Sequence, residues 1–524
     1  MENGGVTFNL AQSVHHHSLL LPQAIAVAAE GRSLSYGELA GRAAALAAQL
    51  QKSPAWHTAD GTPPRVGILA SRSADACVAV LGAMWAGATY VPLGLKLPQE
   101  RLLTILSLCN LAAIVADEEG ARLLNKEVLQ AAPPLVCILK PEQEGCPTGA
   151  QQRPAPMQAS DTAYIIFTSG TTGVPKGVMI SAGAARHYIR TMTALLALQP
   201  CDRILETFEL TFDVSVQNMF CTWEAGASLH VLPAARVMNA VRFARDSSLT
   251  VWLSVPSLVA MLRQVKALGP GVLPALRMTV FGGEQLPKGV VDTWRAAAPA
   301  SAIYNHYGPT EVTVCSLVQL IDEPIPLMPG RDVVGIGTAL PGTEAAVLDA
   351  DGNPVADHCT GELALAGVQL ATGYLDAPEL TAARFPTLQG KRWYLTGDLA
   401  MRDGSGIFHC IGRMDNQIKV LGHRVELEEI DSHLRIVADA DMAGTVAWPS
   451  VDGAAQGLIA FVCARIIDEA QTIHALKARL PHYMIPSRII PLETMPLNAN
   501  GKVDRKALKL LLETRVHDVR SRPD

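Results

Sequence analysis

Hydrophobic and polar positions follow two different patterns along the chain. Over roughly the first 400 residues, alanine-rich stretches with helical spacing alternate with short runs of valine, isoleucine and leucine. One example is LSYGELAGRAAALAAQL at 34–50, followed by RVGILA at 65–70. Strands that alternate with helices favour parallel sheets, because parallel strands need long crossover connections. An α/β fold is therefore predicted here, with helices covering mostly parallel sheets.

The pattern changes near Asp349. From this point short strands are separated by turns rich in Gly, Asp and Pro, such as DADGNP at 349–354 and RDGSG at 402–406. Closely spaced short strands with such turns are typical of an all-β unit. A small β-barrel-like subdomain is therefore predicted over about 330–413.

After Gly412 the chain becomes more charged. The remaining length, about 110 residues, suits a separate small α+β domain. We therefore predict an N-terminal domain of residues 1–413 and a small mobile C-terminal domain of residues 414–524.

One segment has the length of a membrane span. Residues 76–95, ACVAVLGAMWAGATYVPLGL, carry no charge over about the thickness of a bilayer. However, Gly87 follows a helix-like stretch, and Pro92 ends a strand-like run. We therefore predict a buried helix, a turn and a strand, and no membrane partner.

Charge and cysteine content argue against several classes of protein, among them nucleic-acid binders and secreted disulfide proteins. The 43 basic and 49 acidic residues leave a net charge of −6, so no basic face for nucleic acid is predicted. The 10 cysteines are scattered, without C-x-x-C or zinc-like spacing, which is typical of reduced thiols in the cytosol. The start, MENGGVTFNLAQSV, has no basic region before an apolar core. No secretory signal is expected, and a cytoplasmic location is predicted.

The segment YIIFTSGTTGVPKGVMI at 164–180 begins as a buried strand and continues as a loop of glycines, hydroxyls and one lysine. Such a loop can turn backbone N–H groups, hydroxyl donors and a positive charge toward a polyphosphate. A Walker A loop needs Ser or Thr after the lysine, whereas Gly177 follows Lys176. A mobile surface turn is the alternative. The candidate phosphate-binding residues are Thr168, Ser169, Gly170, Thr171, Thr172, Gly173 and Lys176.

Further segments accompany this loop in a fixed order along the chain. They are FDVSVQ (212–217), NHYGPTE (305–311), GELALAG (361–367), YLTGDLA (394–400), GRMDNQIKVLGHRVEL (412–427), LPHYMIP (480–486) and NGKVDR (500–505). Together with the loop, they resemble the adenylate-forming superfamily, which contains nonribosomal-peptide adenylation domains, acyl-CoA synthetases and luciferases. The resemblance covers nearly the whole chain, from LSYGEL at 34 onward.

The resemblance implies that a carboxylate attacks the α-phosphate of ATP, giving an acyl-adenylate and pyrophosphate. It implies that Thr310 hydrogen-bonds the α-phosphate and that Glu311 helps to hold Mg²⁺, which prefers carboxylate and phosphate oxygens. Asp398 would accept hydrogen bonds from the ribose hydroxyls, and Asn305 would contact adenine. Taken alone, YGPTE is also typical of a proline turn with a helix cap, and TGD of a turn. The other nucleotide-site candidates are Tyr307 and Arg413.

Lys502 follows Asn500-Gly501, a pair suited to a tight turn. The resemblance places this lysine over the substrate carboxylate and the α-phosphate, where it would stabilise developing negative charge. Losing such a group usually lowers the rate by about two to three orders of magnitude. A solvated C-terminal lysine is the alternative.

The resemblance also implies a rotation of the C-terminal domain after adenylation. Asp415 matches the hinge position, and Lys419 and Gly422 lie on the loop expected to enter the site for thioester formation. Glu428 departs from the family, which usually has glycine at this place in RVELEEI.

Asp213 indicates which class of carboxylic acid the protein would activate. In family members that activate amino acids, an aspartate here pairs with the substrate α-ammonium group, and activators of fatty or aryl acids generally lack it, because an unpaired buried carboxylate is costly. A helix-capping role for Asp213 is the alternative. The pocket positions transferred from the family are Asp213, Val214, Gln217, Leu253, Val280, Gly282, His306, Val314, Cys315 and Lys502.

This lining is mostly apolar, which suits a small or medium hydrophobic amino acid. Read in order, D-V-Q-L-V-G-H-V-C-K is similar to the pattern of proline-activating domains, so L-proline is the predicted substrate. A pocket can discriminate between two acids that differ by one methylene group, but the difference in free energy is only about 1–3 kcal/mol. Pipecolate, valine and a substituted proline are the alternatives.

The acceptor is predicted from motifs that the sequence lacks. We find neither an L-G-G-x-S carrier segment nor an H-H-x-x-x-D-G condensation segment. The chain therefore resembles a free-standing enzyme that loads the phosphopantetheine thiol of a separate carrier protein. A ligase that uses coenzyme A is one alternative, and a non-catalytic nucleotide-binding module is another.

Overall fold

The computed structural model describes residues 7–29, 31–59, 61–140, 152–170, 174–420, 422–451, 454–455, 457–463, 467–497 and 503–520. Contacts between Cα atoms divide the chain into two compact units. The first comprises Met1–Leu95, Ile105–Phe167 and Gly177–Met414, and the second comprises Lys96–Thr104, Thr168–Lys176 and Asp415–Asp524. The second unit thus includes two short stretches from the first half of the sequence.

Helices and strands alternate through most of the chain. In chain order the elements begin with α1 (Gln12–Leu20), β1 (Ile25–Ala29), β2 (Arg32–Ser35), α2 (Tyr36–Leu50), β3 (Arg65–Leu69), α3 (Ala74–Trp85), β4 (Thr89–Pro92), α4 (Gln99–Cys109), β5 (Ala113–Ala116), α5 (Glu118–Ala121), α6 (Lys126–Ala131), β6 (Val136–Ile138), β7 (Thr162–Thr168), β8 (Lys176–Ser181) and α7 (Ala182–Leu195). They continue with β9 (Arg203–Glu206), α8 (Val214–Glu224), β10 (Ser228–Val231), α9 (Ala240–Asp246), β11 (Val251–Ser254), α10 (Pro256–Gln264), β12 (Met278–Gly282), α11 (Lys288–Ala297), β13 (Ala302–Tyr307), β14 (Leu317–Leu320) and β15 (Thr338–Ala339).

The later elements are mostly strands. They are β16 (Thr343–Leu348), β17 (Thr360–Gly367), β18 (Gly373–Tyr374), α12 (Pro378–Arg384), β19 (Thr387–Leu388), β20 (Lys391–Arg402), β21 (Phe408–Arg413), β22 (Gln417–Val420), β23 (His423–Glu426), α13 (Leu427–Val437), β24 (Met442–Ala447), β25 (Ser450–Val451), β26 (Ala454–Ala455), β27 (Leu458–Cys463), α14 (Glu469–Lys477), β28 (Arg488–Pro491) and α15 (Arg505–Arg520). Single 3₁₀ turns occupy Ala234–Asn239, Thr310–Val312 and His482–Met484.

Two large sheets lie in the first unit. Within the described residues, one has nine strands in the order β15-β14-β13-β12-β11-β9-β10-β1-β2, and the other has seven in the order β18-β8-β7-β4-β3-β5-β6. The inner strands of the nine-stranded sheet run parallel, and β2, β14 and β15 pair antiparallel at its edges. In the seven-stranded sheet, β7, β4, β3, β5 and β6 pair in parallel. The predicted α/β fold with mostly parallel sheets is confirmed.

The region after residue 340 is a separate antiparallel sheet. Strands β16, β17, β20 and β19 follow one another, and β21 pairs with β20. The register places Asp398 of β20 directly opposite Arg413 of β21.

Helices α2 and α3 show how the sequence pattern produces the covering layer. Ser35 and Glu38 form a capping box that starts α2, so two otherwise unpaired N–H groups are satisfied. Every residue of α3 is buried, and α2 packs against it. At Gly82 a Cβ would lie 2.4 Å from Leu46 Cδ2, so the close approach of the two helices depends on glycine at that position.

The segment 76–95 is a buried helix, turn and strand, as predicted. It comprises most of α3, a turn at Gly87 with φ +78°, and β4. Among the described residues we find no helix with the length and apolar character that a bilayer crossing requires. None of the nine cysteines in the described residues forms a disulfide.

The second unit has its own core. Strands β24, β27 and β28 form one sheet, and β23, β22, β26 and β25 form another. Helix α13 packs on β24, and α15 packs on the same strand. The apolar core is formed by side chains that include Val425, Ile430, Leu434, Leu458 and Leu476.

Candidate active site

Four of the ten substrate-pocket candidates lie near the carboxyl ends of the central parallel strands. Leu253 of β11 lies opposite Val280 of β12, and Gly282 lies opposite His306 of β13. Ligands of open α/β sheets bind at this edge, beyond the ends of the strands. The first unit therefore brings these four candidates together.

Asp213 lies at the start of α8, and its charge acts on the thiol of Cys315, another pocket candidate. Its backbone has helical angles, φ −66° and ψ −19°, and its side chain makes no capping hydrogen bond to the helix. The helix-capping alternative for Asp213 is therefore not what the structure shows. Val214 follows it, and Gln217, one turn further on, is buried and accepts a hydrogen bond from the Tyr188 hydroxyl.

Two titratable pocket candidates, His306 and Cys315, are uncharged at neutral pH. Burial lowers the pKa of His306 to about 3, so its imidazole is neutral, and its Nε2 is buried without a hydrogen-bond partner among the described residues. Burial raises the pKa of the Cys315 thiol, and the nearby Asp213 charge raises it further.

Sequence reasoning missed three tyrosines. Burial raises the pKa values of Tyr90, Tyr164 and Tyr188, and the charge of Asp213 adds to the shift in each. Across the described residues, the Tyr90 and Tyr164 hydroxyls are buried without a hydrogen-bond partner. They are therefore neutral groups that can donate to a bound molecule. Their only sequence signal is their place in apolar elements, strands β4 and β7 and helix α7, which is equally typical of core residues.

The loop that carries Val314 and Cys315 is strained. Thr313 and Val314 have φ values of +60° and +66°, which are rare for β-branched residues. Gln369 holds this loop, since its Nε2 donates to the Cys315 carbonyl at 2.8 Å and to the Val312 carbonyl at 3.3 Å. Gln369 was not among the sequence candidates.

Asp398, the ribose candidate, is held from two sides. The Tyr307 hydroxyl donates to its Oδ2, and Arg413 Nη1 lies 3.0 Å from its Oδ1. Arg413 also donates to the Thr396 carbonyl at 2.8 Å. The two carboxylate oxygens keep further lone pairs that can accept hydroxyl donors. Asn305, on the same strand as Tyr307, is buried and donates to the Gly335 carbonyl at 2.9 Å.

Thr310 and Glu311 lie in the 3₁₀ turn that follows β13. Glu311 is fully buried, and its Oε1 accepts a hydrogen bond from the Tyr374 hydroxyl at 2.8 Å. Among the described residues no cluster of three or more potential metal ligands is found. One fixed carboxylate fits Mg²⁺, because this ion is usually bound by one or two carboxylates together with substrate phosphates.

The phosphate-loop candidates belong to the second unit. Gly170 is required sterically, because a Cβ there would lie 2.1 Å from the Val174 carbonyl oxygen. The Ser169 hydroxyl donates to the Arg424 carbonyl at 2.9 Å, and Lys176 Nζ lies 3.7 Å from Glu426 Oε1. Thr168 ends β7. Thr171, Thr172 and Gly173 lie outside the described residues.

The remaining candidates also belong to the second unit. Asp415 is its first residue in the C-terminal part, and its Oδ1 accepts a hydrogen bond from the Gln417 amide at 3.2 Å. Lys419 is exposed on β22, and Gly422 has φ +82°, which favours glycine. Lys502 lies outside the described residues, although Leu497 and Val503 form an antiparallel bridge around that segment.

Comparison with known proteins shows similarity over the whole chain. The profile of the family described as AMP-binding enzyme matches residues 15–375. A D-alanine–D-alanyl carrier protein ligase from Bacillus velezensis is 32% identical over 506 residues, which cover 93% of this chain and 96% of that protein. The delta-poly-L-ornithine synthetase of Acinetobacter baumannii is 33% identical over 97% of this chain, which spans only 37% of that protein.

A solved structure shows the same similarity. The Vibrio cholerae adenylation domain AlmE, in complex with glycyl-adenosine-5′-phosphate, has a TM-score of 0.81 and 27% identity. The alignment covers 98% of this chain and 99% of that one.

Proposed function

The chain belongs to the family of AMP-binding enzymes, as its motifs indicated, and we propose that it activates an amino acid with ATP. The observation that carries this proposal is Asp213, a carboxylate at the start of α8 whose charge acts on the buried, neutral thiol of Cys315 and on the buried hydroxyl of Tyr188. An ammonium group is the ligand that such a carboxylate binds most favourably in a site of low dielectric. The α-ammonium group of an amino acid provides it.

In the first step a carboxylate oxygen of the amino acid attacks the α-phosphorus of ATP. A bond forms between that oxygen and phosphorus, the bond to the bridging oxygen of the β-phosphate breaks, and pyrophosphate leaves with the electron pair. Lys502 and Thr310 are proposed to stabilise the charge that develops on the α-phosphate, and Lys176 the charge on the leaving phosphates. Glu311 would hold Mg²⁺, which neutralises phosphate charge when bound.

Binding of the nucleoside is assigned to groups that are already fixed. Asp398 is oriented by Tyr307 and Arg413, so its carboxylate is preorganised to accept the ribose hydroxyls. Asn305 is assigned to adenine.

In the second step we propose that the phosphopantetheine thiolate of a separate carrier protein attacks the acyl carbon. A thioester forms and AMP leaves. The carrier acceptor is supported by the activity for which the Bacillus velezensis relative is named, since that protein matches this chain almost end to end. Asp415 is proposed as the hinge, and Lys419 and Gly422 as part of the loop that serves this step.

L-proline is the proposed substrate. The support is the mostly apolar lining, together with the similarity of the ordered pocket positions to those of proline-activating domains. The Tyr188–Gln217 hydrogen bond leaves both groups paired, so they do not require a polar substrate side chain.

ATP–pyrophosphate exchange across all amino acids, pipecolate, and aryl and fatty acids tests the proposal. We expect exchange with L-proline, and we expect Asp213→Asn to lower kcat/KM for proline by about a hundredfold, because truncating a buried charge partner costs about 2–5 kcal/mol. KM for ATP should stay the same, and Asp246→Asn, at an exposed site, is the control.

Other outcomes would redirect the proposal. Faster exchange with valine or pipecolate would change the substrate while keeping the reaction. Exchange with aryl or fatty acids alone would favour a ligase that uses coenzyme A. A protein that binds ATP but exchanges with no acid would be a nucleotide-binding module, and the proposed function would be wrong.

A further inference from the structure

The carboxylate of Glu311, the Mg²⁺ candidate, is held by the segment 371–374. The Tyr374 hydroxyl donates to Glu311 Oε1 at 2.8 Å, and the Ala371 amide donates to the Glu311 carbonyl at 2.9 Å. Glu311 is 0% exposed and Tyr374 is 3% exposed. Because this segment holds both the side chain and the backbone of Glu311, it determines where the carboxylate lies and how its plane is oriented.

We propose that Tyr374 is a positioning residue that holds Glu311 in the orientation in which it binds Mg²⁺. The inference rests on the proposed function, which assigns the ion to Glu311. Carboxylates that bind metal ions are usually hydrogen-bonded by a second group of the protein, and losing that group lowers metal affinity or activity by about 10–100-fold. The Tyr374 hydroxyl makes such a hydrogen bond.

The strand that carries Tyr374 also ties this carboxylate to β8. Tyr374 lies opposite Val178 of β8, and the Leu375 amide donates to the Gly177 carbonyl at 2.8 Å. Gly177 directly follows the phosphate-loop candidate Lys176 in the sequence. Backbone pairing with β8 therefore sets the position from which the Tyr374 side chain starts.

Arg392 holds the same segment through its carbonyl groups. Its Nη1 donates to the Ala371 carbonyl at 2.8 Å, and its Nη2 donates to the Thr372 carbonyl at 2.9 Å. The Arg392 guanidinium lies 4.4 Å from the centre of the Phe385 ring, which is a cation–π contact. The Tyr374 ring packs edge-on against Phe385, with 5.8 Å between the ring centres. The backbone and the ring of Tyr374 are thus both fixed.

Packing alone does not explain the hydroxyl at position 374. A buried hydroxyl costs free energy unless it is hydrogen-bonded, and Tyr374→Phe would keep the ring contact with Phe385. The acceptor of the Tyr374 hydroxyl is a carboxylate, that of Glu311. Tyr36 is also buried, but its hydroxyl donates to the Ala227 backbone carbonyl at 2.7 Å. Tyr36 is therefore a matched control, because its acceptor lies outside the candidate site.

The test measures how strongly Mg²⁺ improves nucleotide binding to the full chain. Titration calorimetry gives Kd for α,β-methylene-ATP in EDTA and in MgCl₂, and the first value divided by the second is the coupling between ion and nucleotide. We expect Tyr374→Phe to lower this ratio by about tenfold. Kd in EDTA should stay the same, because Tyr374 acts on the nucleotide through the ion.

ATP–pyrophosphate exchange with proline gives a second readout. The Mg²⁺ concentration needed for half-maximal exchange should rise by about tenfold in Tyr374→Phe. Saturating Mg²⁺ should restore kcat, and KM for proline should stay the same, since Asp213 is untouched. A general loss of folding would instead lower kcat at every Mg²⁺ concentration.

Three further variants separate positioning from stability. Tyr36→Phe should keep the wild-type ratio. In a Glu311→Gln background, which should itself lose most of the coupling, Tyr374→Phe should cause no further loss. Thr381→Val, which removes the hydroxyl that accepts a hydrogen bond from the Tyr374 amide at 2.9 Å, should lower the ratio in the same direction. This variant keeps the inference testable if Tyr374→Phe fails to fold.

Several outcomes would overturn the inference while proline-dependent exchange keeps the proposed function intact. They are a wild-type ratio in folded Tyr374→Phe, a wild-type ratio in Thr381→Val where Tyr374→Phe does not fold, and an equal loss in Tyr36→Phe. Additive losses in the double variant would also overturn it, because Tyr374 would then act independently of Glu311. A lowered ratio in Tyr374→Phe, in a protein that exchanges with no acid, would support the inference and reject the proposed function.

Discussion

At the scale of single residues, the candidate pocket positions include one carboxylate, Asp213, and a buried imidazole, His306. The pKa of His306 is lowered to about 3 by burial, so the imidazole stays uncharged throughout the range in which enzymes usually work. A neutral imidazole adds no repulsion to a bound ammonium group. The pH dependence of amino acid binding should therefore not contain a His306 titration.

Glu206 gives a prediction about stability. It ends β9, is buried, and burial raises its pKa from 4.5 to about 8, with Arg72 acting in the opposite direction. The folded state therefore keeps a proton that the unfolded state releases above pH 4.5, so the contribution of Glu206 to stability falls as the pH rises from 4.5 to 8. We expect Glu206→Gln to raise the unfolding midpoint at pH 8.5 and to leave it nearly unchanged at pH 4.5.

Thermal unfolding at the two pH values measures this difference. Glu513→Gln, which is exposed, should show the same midpoint as the wild type at both. An equal shift of the Glu206→Gln midpoint at pH 4.5 and pH 8.5 would contradict the buried-proton explanation.

At the scale of elements, the strained turn after β13 depends on Gln369. We expect Gln369→Ala to raise KM for the amino acid by about tenfold, or about 1.4 kcal/mol, because two hydrogen bonds that hold the turn carrying Val314 and Cys315 are lost. KM for ATP should change little. Gln319→Ala in β14, which removes one exposed hydrogen bond to the Leu320 carbonyl, is the matched control. An equal rise in both KM values for Gln369→Ala would contradict this role.

The elements also show what the sequence could and could not predict. The start of α2 follows from the local pair Ser35 and Glu38, and the buried character of 76–95 follows from its composition and its Gly87 turn. The left-handed backbone at Val314 was not predictable, because a glutamine 55 positions away in the sequence stabilises that turn. The tyrosines near Asp213 were missed for a similar reason, since their surroundings are set by the packing of strands β4 and β7 and helix α7 and not by neighbours in sequence.

At the scale of the whole molecule, the second unit is assembled from distant parts of the chain. Arg101 and Glu429 form an ion pair whose side chains are 8% and 0% exposed. Burial raises the pKa of Glu429, and Arg101 lowers it. We expect Arg101→Met to destabilise the second unit by about 3–5 kcal/mol, because Glu429 would stay buried without its ion partner.

Chemical unfolding followed by a probe in the second unit measures this change. Arg435→Met is the control, because Arg435 is exposed on α13 of the same unit, and surface substitutions usually change stability by less than about 0.5 kcal/mol. Equal destabilisation by the two variants would contradict this explanation, because the loss of stability would then not depend on the buried Arg101–Glu429 ion pair.

This interleaved chain path affects how the protein is made. Arg101 and Glu429 are 328 residues apart, and ribosomes add roughly 5–20 residues per second. The stretches 96–104 and 168–176 therefore emerge many seconds before the strands and helix that they pack against. Until translation reaches those partners, Arg101 and Lys176 have not yet met Glu429 and Glu426. A product that stops at residue 414 would never form these contacts.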